Sequence, residues 1–283
     1  MRSLADIAKE RDILRTVVGL TGAFEGIASM HIAQIRSQVI ASQDFFGELW
    51  QIYRQIRVDE LFHFGRAPSS QKVINKELLI LITSEGGLSG DIDLRLLDQA
   101  LDNYDPAGSD VMVVGHHGSV LLAQRRVAFV KSFKLPVHDA DINVMSLVNE
   151  LQGYATTTVY YQHYVSLAVQ EIKSIALVSA VEELAKHVEA GGDLITEANY
   201  IFEPSTYAVV SHLERTMLQI ALSQVILESK LAQYASRFKA MTVAHKKSDD
   251  SLEELNFDYA ISRRRLKDER LKEIINGLKR PSL

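Results

Sequence analysis

The chain has 283 residues, 47% hydrophobic and 24% charged, enough for one large or two modest domains around a sizeable core. A net charge of −5 argues against a general nucleic-acid binder, and the lack of cysteine excludes disulfides, thiolate metal sites and cysteine nucleophiles. No apolar run approaches the ~18 residues that span a bilayer, and Asp6, Glu10 and Asp12 fit neither a secretory signal nor a transit peptide, so a cytoplasmic protein is expected.

The first predicted element is a helix from about Leu4 to Ile56, with Ile7, Ile13, Val17, Leu20, Phe24 and Ile27 on a common face. Gly19, Gly22 and Gly26 weaken it by up to ~1 kcal/mol each relative to alanine. They also leave a strip nearly free of side chains, where a neighbour could approach closely.

The middle of the chain alternates strand and helix signals. Glu77–Thr83 is an apolar run that ends in the turn cluster Ser84-Glu85-Gly86-Gly87-Leu88-Ser89-Gly90, and a helical stretch follows through Leu101. Asp110–Val114 is a second apolar run, stopped by the turn Gly115 to Gly118. Helices are expected over Val120–Phe133 and around Asp141–Tyr154, then an amphipathic stretch around Tyr160–Gln170 and a third strand near Ser174–Ser179. Strand–turn–helix units of this kind favour an α/β domain with a mainly parallel, Rossmann-like sheet. Ala190–Asp193 reads as a turn and Asn199–Ser205 as an extended link, with Ser205 the N-cap of the last helix.

That last helix is the strongest signal in the chain. From Ser205 to Asn276 there is no proline or glycine, a span of roughly 100 Å at the helical rise. A seam runs Val210, Leu213, Met217, Ile220, Gln224, Leu227, Leu231, Tyr234, Phe238, Met241, stepping 3 and 4 alternately, which is the period of a left-handed coiled coil. The expected architecture is therefore α/β plus a long coiled coil. The segments are 1–60, an N-terminal helix; 61–203, a globular domain; and 204–283, a C-terminal helix antiparallel to the first. The C-terminal helix outruns its partner, so its far end would protrude.

Candidate chemistry is sparse. The Ser84–Gly90 turn could cradle a phosphate, but it lacks both a Gly-Lys-Ser/Thr ending and a Gly-x-Gly-x-x-Gly spacing, so a plain strand-to-helix turn is expected. Gly115-His116-His117-Gly118 is the most metal-like segment, but further ligands would have to come from the scattered His138, His163 or His187. No Gly-x-Ser-x-Gly elbow exists. Glu182-Glu183, Asp249-Asp250 and Glu253-Glu254 read as exposed charges. Arg263-Arg264-Arg265, with Lys267, Arg270 and Lys272, either complements the helix dipole or forms a charged handle for acidic groups on another chain.

Several stretches in order carry a family resemblance. Leu20-Thr21-Gly22-Ala23-Phe24-Glu25-Gly26-Ile27-Ala28 follows an Ile-Thr-x-Ala-Met-x-Met-Val-Ala pattern, and Ile82–Gly90 is similar to a Thr-Ser-Asp-x-Gly-Leu-Cys-Gly turn. Tyr200–Ser205 reproduces Tyr-x-x-Glu-Pro-Ser. Ser229 with Ala235–Ala244 resembles Glu-x-x-x-Arg-Met-x-Ala-Met-x-x-Ala, and Tyr259 to Gly277 parallels the same family's tail. Over nearly its whole length the chain resembles the gamma subunits, or central stalks, of F-type rotary ATP synthases.

The resemblance implies a non-catalytic rotor without cofactor or metal of its own. Its partners would be a hexamer of alpha and beta subunits, an epsilon subunit and a membrane c-ring, on the inner face of a bacterial plasma membrane. It implies contacts to the hexamer at Glu25, Gly26, Met241, Arg263, Asp268, Glu269 and Arg270. Several positions depart from the family. Glu25 and Gly26 stand for Lys and Met, His31 for Lys, Asp268 for Thr and Arg270 for Glu, while Arg263 and Glu269 occupy the Arg and Gln positions. These departures point to a divergent, paralogous F-type ATPase pumping protons or sodium. The competing readings are a non-rotary coiled-coil adaptor with the same fold, and a free-standing α/β enzyme using the Gly115–Gly118 turn.

Overall fold

In the computed structural model the described residues are 3–55, 74–102, 104–135, 144–151, 153–177, 203 and 205–278. The elements follow in chain order: α1 (Leu4–Gln55), β1 (Ile74–Ile82), α2 (Ile92–Leu101), β2 (Ser109–Val114), α3 (His116–Gln124) and β3 (Lys131–Phe133). After them come α4 (Met145–Leu151), β4 (Tyr154–Tyr164), β5 (Gln170–Ala176) and α5 (Thr206–Leu278). The chain divides into two compact units, Ala28–Arg237 and Met1–Ile27 with Phe238–Leu283. Both long helices are shared between the units, and the expected boundary at residue 60 lies outside the described residues.

Within unit 28–237 the five strands lie in the order β3-β2-β1-β4-β5. The pairs β2–β3, β1–β2 and β1–β4 are parallel, and β5 joins β4 as an antiparallel edge strand. Side chains alternate across the sheet as the strand period requires. Leu78, Ile80, Ile82, Met112, Val114, Val159 and Tyr161 enter one core with α4, Phe46 of α1 and the stretch Met217–Ile226 of α5. Leu79, Leu81, Val111, Val113 and Tyr160 enter the other with Leu96 and Leu97 of α2 and Leu121 and Leu122 of α3. A sheet covered on both faces accounts for the continuous apolar runs of β1 and β2.

Four middle elements differ from expectation. The helix expected over Val120–Phe133 is α3, His116–Gln124. It stops where Arg126 takes φ 58°, and the chain then returns as edge strand β3, paired with β2. The amphipathic stretch expected around Tyr160–Gln170 is strand β4 and a hairpin into β5. The β-branched and aromatic run Thr156-Thr157-Thr158-Val159-Tyr160-Tyr161 was the signal for it. The third expected strand is β5, which begins at Gln170 and runs antiparallel. Helix α4 runs over Met145–Leu151 of the expected Asp141–Tyr154, where Gly153 is a turn and Tyr154 begins β4; residues 141–143 and 152 lie outside the described residues. The predicted turn at 190–193 and most of the link at 199–205 lie outside the described residues.

The long helices begin where their caps dictate. The Asp6 N–H donates to the Ser3 hydroxyl at 3.1 Å and the Ser3 N–H donates to the Asp6 carboxylate at 3.3 Å, a capping box with Asp in place of Glu. At the start of α5 the Ala208 N–H donates to the Ser205 hydroxyl at 3.2 Å, which is the cap the sequence predicts. All ten positions of the expected α5 seam are buried or half-buried. The 4-3 spacing also continues past Met241 through His245, Ser248, Leu252, Leu255, Tyr259 and Ser262, each buried or half-buried.

The face of α1 needs correction. Its inward positions step 4 and 3 through Ile7, Arg11, Leu14, Val18, Thr21, Glu25, Ala28, Ile32, Ile35, Val39, Ser42, Phe46 and Leu49. Of the residues expected on one buried face, Ile7 is buried and Val17 half-buried, whereas Ile13, Leu20, Phe24 and Ile27 are exposed. In unit 1–27 with 238–283 the pairing is antiparallel. Arg11 lies over the Tyr259 ring, Thr21 meets His245, and Glu25 meets Thr242. In the other unit, His31 stacks on Tyr234 and Ile35 packs with Leu227 and Leu231, again antiparallel.

Candidate functional site

The densest polar cluster sits at the carboxyl end of β1 and β4, where α2, α3 and α5 converge within unit 28–237. Its centre is Asp93, in the first turn of α2 and 1% exposed. A buried carboxylate is tolerated only when its lone pairs are occupied. Asp93 accepts the Ser84 N–H at 3.3 Å, the Ser84 hydroxyl at 2.5 Å and the Gln162 amide at 2.8 Å, and His117 Nδ1 lies 2.7 Å from Oδ2. The hydrogen bond to Asp93 raises the His117 pKa above the ordinary imidazole value, against a smaller opposing effect of burial.

Helix α5 is tied into this cluster. The other end of the Gln162 side chain, its Oε1, accepts from the Ser229 hydroxyl and from the Gln233 amide at 3.2 Å. Ser229 and Gln233 are four apart on α5, so they share one helix face, and Gln233 also donates to the Ser229 hydroxyl at 3.1 Å. Next along the helix, the Ser236 hydroxyl donates to the Ser89 carbonyl at 2.7 Å. Arg237 donates to the Gly86 and Gly87 carbonyls at 3.3 Å and to the Ser89 hydroxyl at 3.1 Å. Burial pulls the Arg237 pKa below the ordinary guanidinium value, while Tyr234 and Asp93 oppose that. His163 of β4 pairs with Glu228 of α5 on the same side.

This arrangement decides what the two glycine turns do. An anion approaching the Ser84–Gly90 turn would meet the buried Asp93 carboxylate, and Arg237 is already committed to backbone carbonyls there. The turn is a seat for α5. The Gly115–Gly118 turn serves packing. Gly115 has φ +106°, and a Cβ built on it would lie 2.1 Å from the Thr83 carbonyl. A Cβ on Gly118 would lie 2.4 Å from the Thr83 hydroxyl, which accepts the Gly118 N–H at 3.0 Å. The glycines let α3 start directly against the end of β1. His116 is exposed and His117 faces Asp93. Among the described residues no group of three His, Asp or Glu could hold a metal ion, and His138 and His187 lie outside them.

The residues singled out by resemblance fall into two kinds. Glu25 is half-buried and accepts the Thr242 hydroxyl at 2.8 Å, and Met241 is buried, so both help to build the helix pair. Gly26 is exposed with nothing within 4 Å of a built Cβ, as is Gly19, and of the three glycines only Gly22 lies against a neighbour, His245 at 3.4 Å. Arg263, Asp268, Glu269 and Arg270 belong to a fully exposed stretch of α5 from 263 to 276. Ile13, Leu20, Phe24 and Ile27 add an exposed apolar stripe on α1. By length and composition alone α1 is apolar enough over one 18-residue window to cross a bilayer, although no unbroken apolar run of that length occurs in it. Sequence reasoning missed Asp93, Gln162 and Gln233. The only trace of them was polar residues placed on otherwise apolar faces.

Comparison with known proteins agrees with this arrangement. A family model described as ATP synthase matches residues 3–279. The chain belongs to the ATP synthase gamma family. It is 23% identical to the ATP synthase gamma chain of Chlorobium limicola and 24% to that of Chloroherpeton thalassium, with 97–98% of each chain covered. Its fold is similar to a chain in the mitochondrial ATP synthase assembly of OSCP, F1 and c-ring from Euglena gracilis (TM-score 0.64, 14% identity, covering 99% of this chain and 97% of that one). It is also similar to a chain in the central stalk and c-ring of the Tetrahymena thermophila enzyme (TM-score 0.55, 19% identity, covering 80% and 99%). The long N-terminal helix, mixed sheet and long C-terminal helix are those of the gamma fold, the central stalk of rotary F-type ATP synthases.

Proposed function

We propose that this gamma chain turns inside a hexamer of alpha and beta subunits and couples nucleotide chemistry at beta-subunit sites to ion flow through a membrane c-ring. The observation that most supports this reading is the end of α5. From Arg263 to Ile275 every side chain is exposed, yet Leu266, Leu271, Ile274 and Ile275 are apolar and interleave with Arg263, Arg264, Arg265, Lys267 and Arg270. A free helix end of that composition suits a seat in a surrounding protein ring. The exposed stripe Ile13, Leu20, Phe24 and Ile27 suits the same surroundings.

Asymmetry supplies the mechanism. Each beta subunit would meet a different face of the helix pair, and the difference in contact free energy would bias it toward a different conformation. On this reading Gly26, Arg263, Asp268, Glu269 and Arg270 touch the hexamer directly, while Glu25 and Met241 hold the shaft that presents them. The segment 61–203 is the foot, resting on the c-ring with an epsilon subunit, on the inner face of a bacterial plasma membrane. The charge changes at positions 25, 268 and 270 would be matched by changes in the complex's own beta subunit.

Co-purification tests the reading. A tagged chain should bring down alpha and beta subunits with magnesium-dependent ATPase activity. A chain that purifies with other partners and no ATPase activity is a non-rotary adaptor, and the proposal fails.

A further inference from the structure

Resting on the rotary reading, we propose that Asp93, Gln162, Ser229, Gln233, Ser236 and Arg237 form a torque joint that fixes the rotational register of α5 on the α/β domain. A shaft and its foot must not slip against each other when one is driven and the other is loaded. The contact between them is largely apolar, through Met217, Leu218, Ala221, Leu222, Val225 and Ile226 against the sheet. Burial of this one face orients the helix, but apolar contact is non-directional and fixes the rotation less sharply than hydrogen bonds do.

The polar cluster supplies direction. Gln162 is 0% exposed and Ser229 is 0% exposed, so turning α5 would bury unsatisfied groups on both sides of the contact. The links form a continuous chain from helix to sheet. Ser229 and Gln233 bond Gln162, Gln162 bonds Asp93, and Asp93 holds the Ser84 backbone at the end of β1. A second set, Ser236 and Arg237 on the 86–89 backbone, lies one turn further along the same helix and opposes tilting as well as rotation. Around Gln162 the bonds run unbroken from Ser229 and Gln233 to Asp93, and breaking one of them strands the others.

The purified complex carries the test, with ATP hydrolysis and ions moved per ATP measured on equal amounts of assembled enzyme. Q162L/Q233L keeps the side-chain bulk and removes the directional bonds. The joint predicts hydrolysis within about twofold of the parent and at least a twofold fall in ions moved per ATP. Unchanged ions per ATP, or parallel falls in both, would overturn it. Should that variant fail to assemble, N149C/R215C, which links α4 to α5 at a contact outside the joint, keeps the idea testable in the cysteine-free chain. Bridging those thiols with a short cross-linker should leave both rates unaltered, since the joint does not move, and an arrest reversed by cleaving the linker would refute it. A parent chain that does not assemble with a hexamer at all would defeat the rotary reading itself and is recognised separately.

Discussion

His117 and Asp93 meet at 2.7 Å where α3 and α2 begin, with the carboxylate 1% exposed and the imidazole partly open to solvent. The pair couples protonation to the packing around the seat of α5. Arg237 of α5 is the other charged group acting on His117, and it opposes protonation. The His117 pKa lies above 6.5 when folded, so its stabilising contribution is fully present below that value and is lost as pH rises through the folded pKa. The chain should therefore lose thermal stability as pH rises from about 6.5 through the folded pKa, and H117Q should flatten that slope. An unchanged slope in H117Q would contradict the assignment.

Gln224 is the one amide in the α5 seam. It is 7% exposed, and its Oε1 has no hydrogen-bond partner among the described residues. Replacing an unsatisfied buried amide with an apolar side chain of similar size removes a desolvation cost. Q224L should raise stability by about 1 kcal/mol in denaturant titrations.

Gly115→Ala should be severe, because both the positive φ and the approach of Thr83 oppose a side chain. The expected loss is about 3 kcal/mol, from backbone strain together with overpacking. Gly86→Ala, at a position with nothing within 4 Å, is the control and should be far milder.

Phe238 lies in the predicted seam but is half-buried. Full burial would imply a loss of about 3 kcal/mol on truncation to alanine, and half-burial lowers the expected loss to about 1–2 kcal/mol. Thermal unfolding of F238A reads this directly.

Arg263 is exposed and lies beyond the last contact position of the helix pair. R263A should leave the midpoint of thermal unfolding of the isolated chain unchanged and lower coupled turnover of the complex. Loss of stability without loss of turnover would assign Arg263 to the fold instead.

The long C-terminal helix was legible because ten seam positions repeat without a slip, and packing on one narrow face leaves that signature. The face of α1 was misread for a related reason. Ile13, Leu20, Phe24 and Ile27 are spaced like core residues but are exposed, while the inward positions include Arg11, Thr21 and Glu25. A face kept apolar for a partner has the same pattern as one kept apolar for a core. Strand β4 was missed although its residues favour a strand, because the polar Gln162, His163 and Gln170 imitate a helical spacing. The Asp93 cluster could not be read at all, since its members are brought together from positions 84 to 237 by the crossovers of the sheet.

The rotor itself can be watched. With the alpha and beta subunits immobilised and a probe on a single cysteine placed at the exposed Lys131, addition of magnesium and ATP should drive unidirectional rotation in three steps per turn. A probe that stays still while the complex hydrolyses ATP at its full rate would contradict the claim that this chain is the shaft.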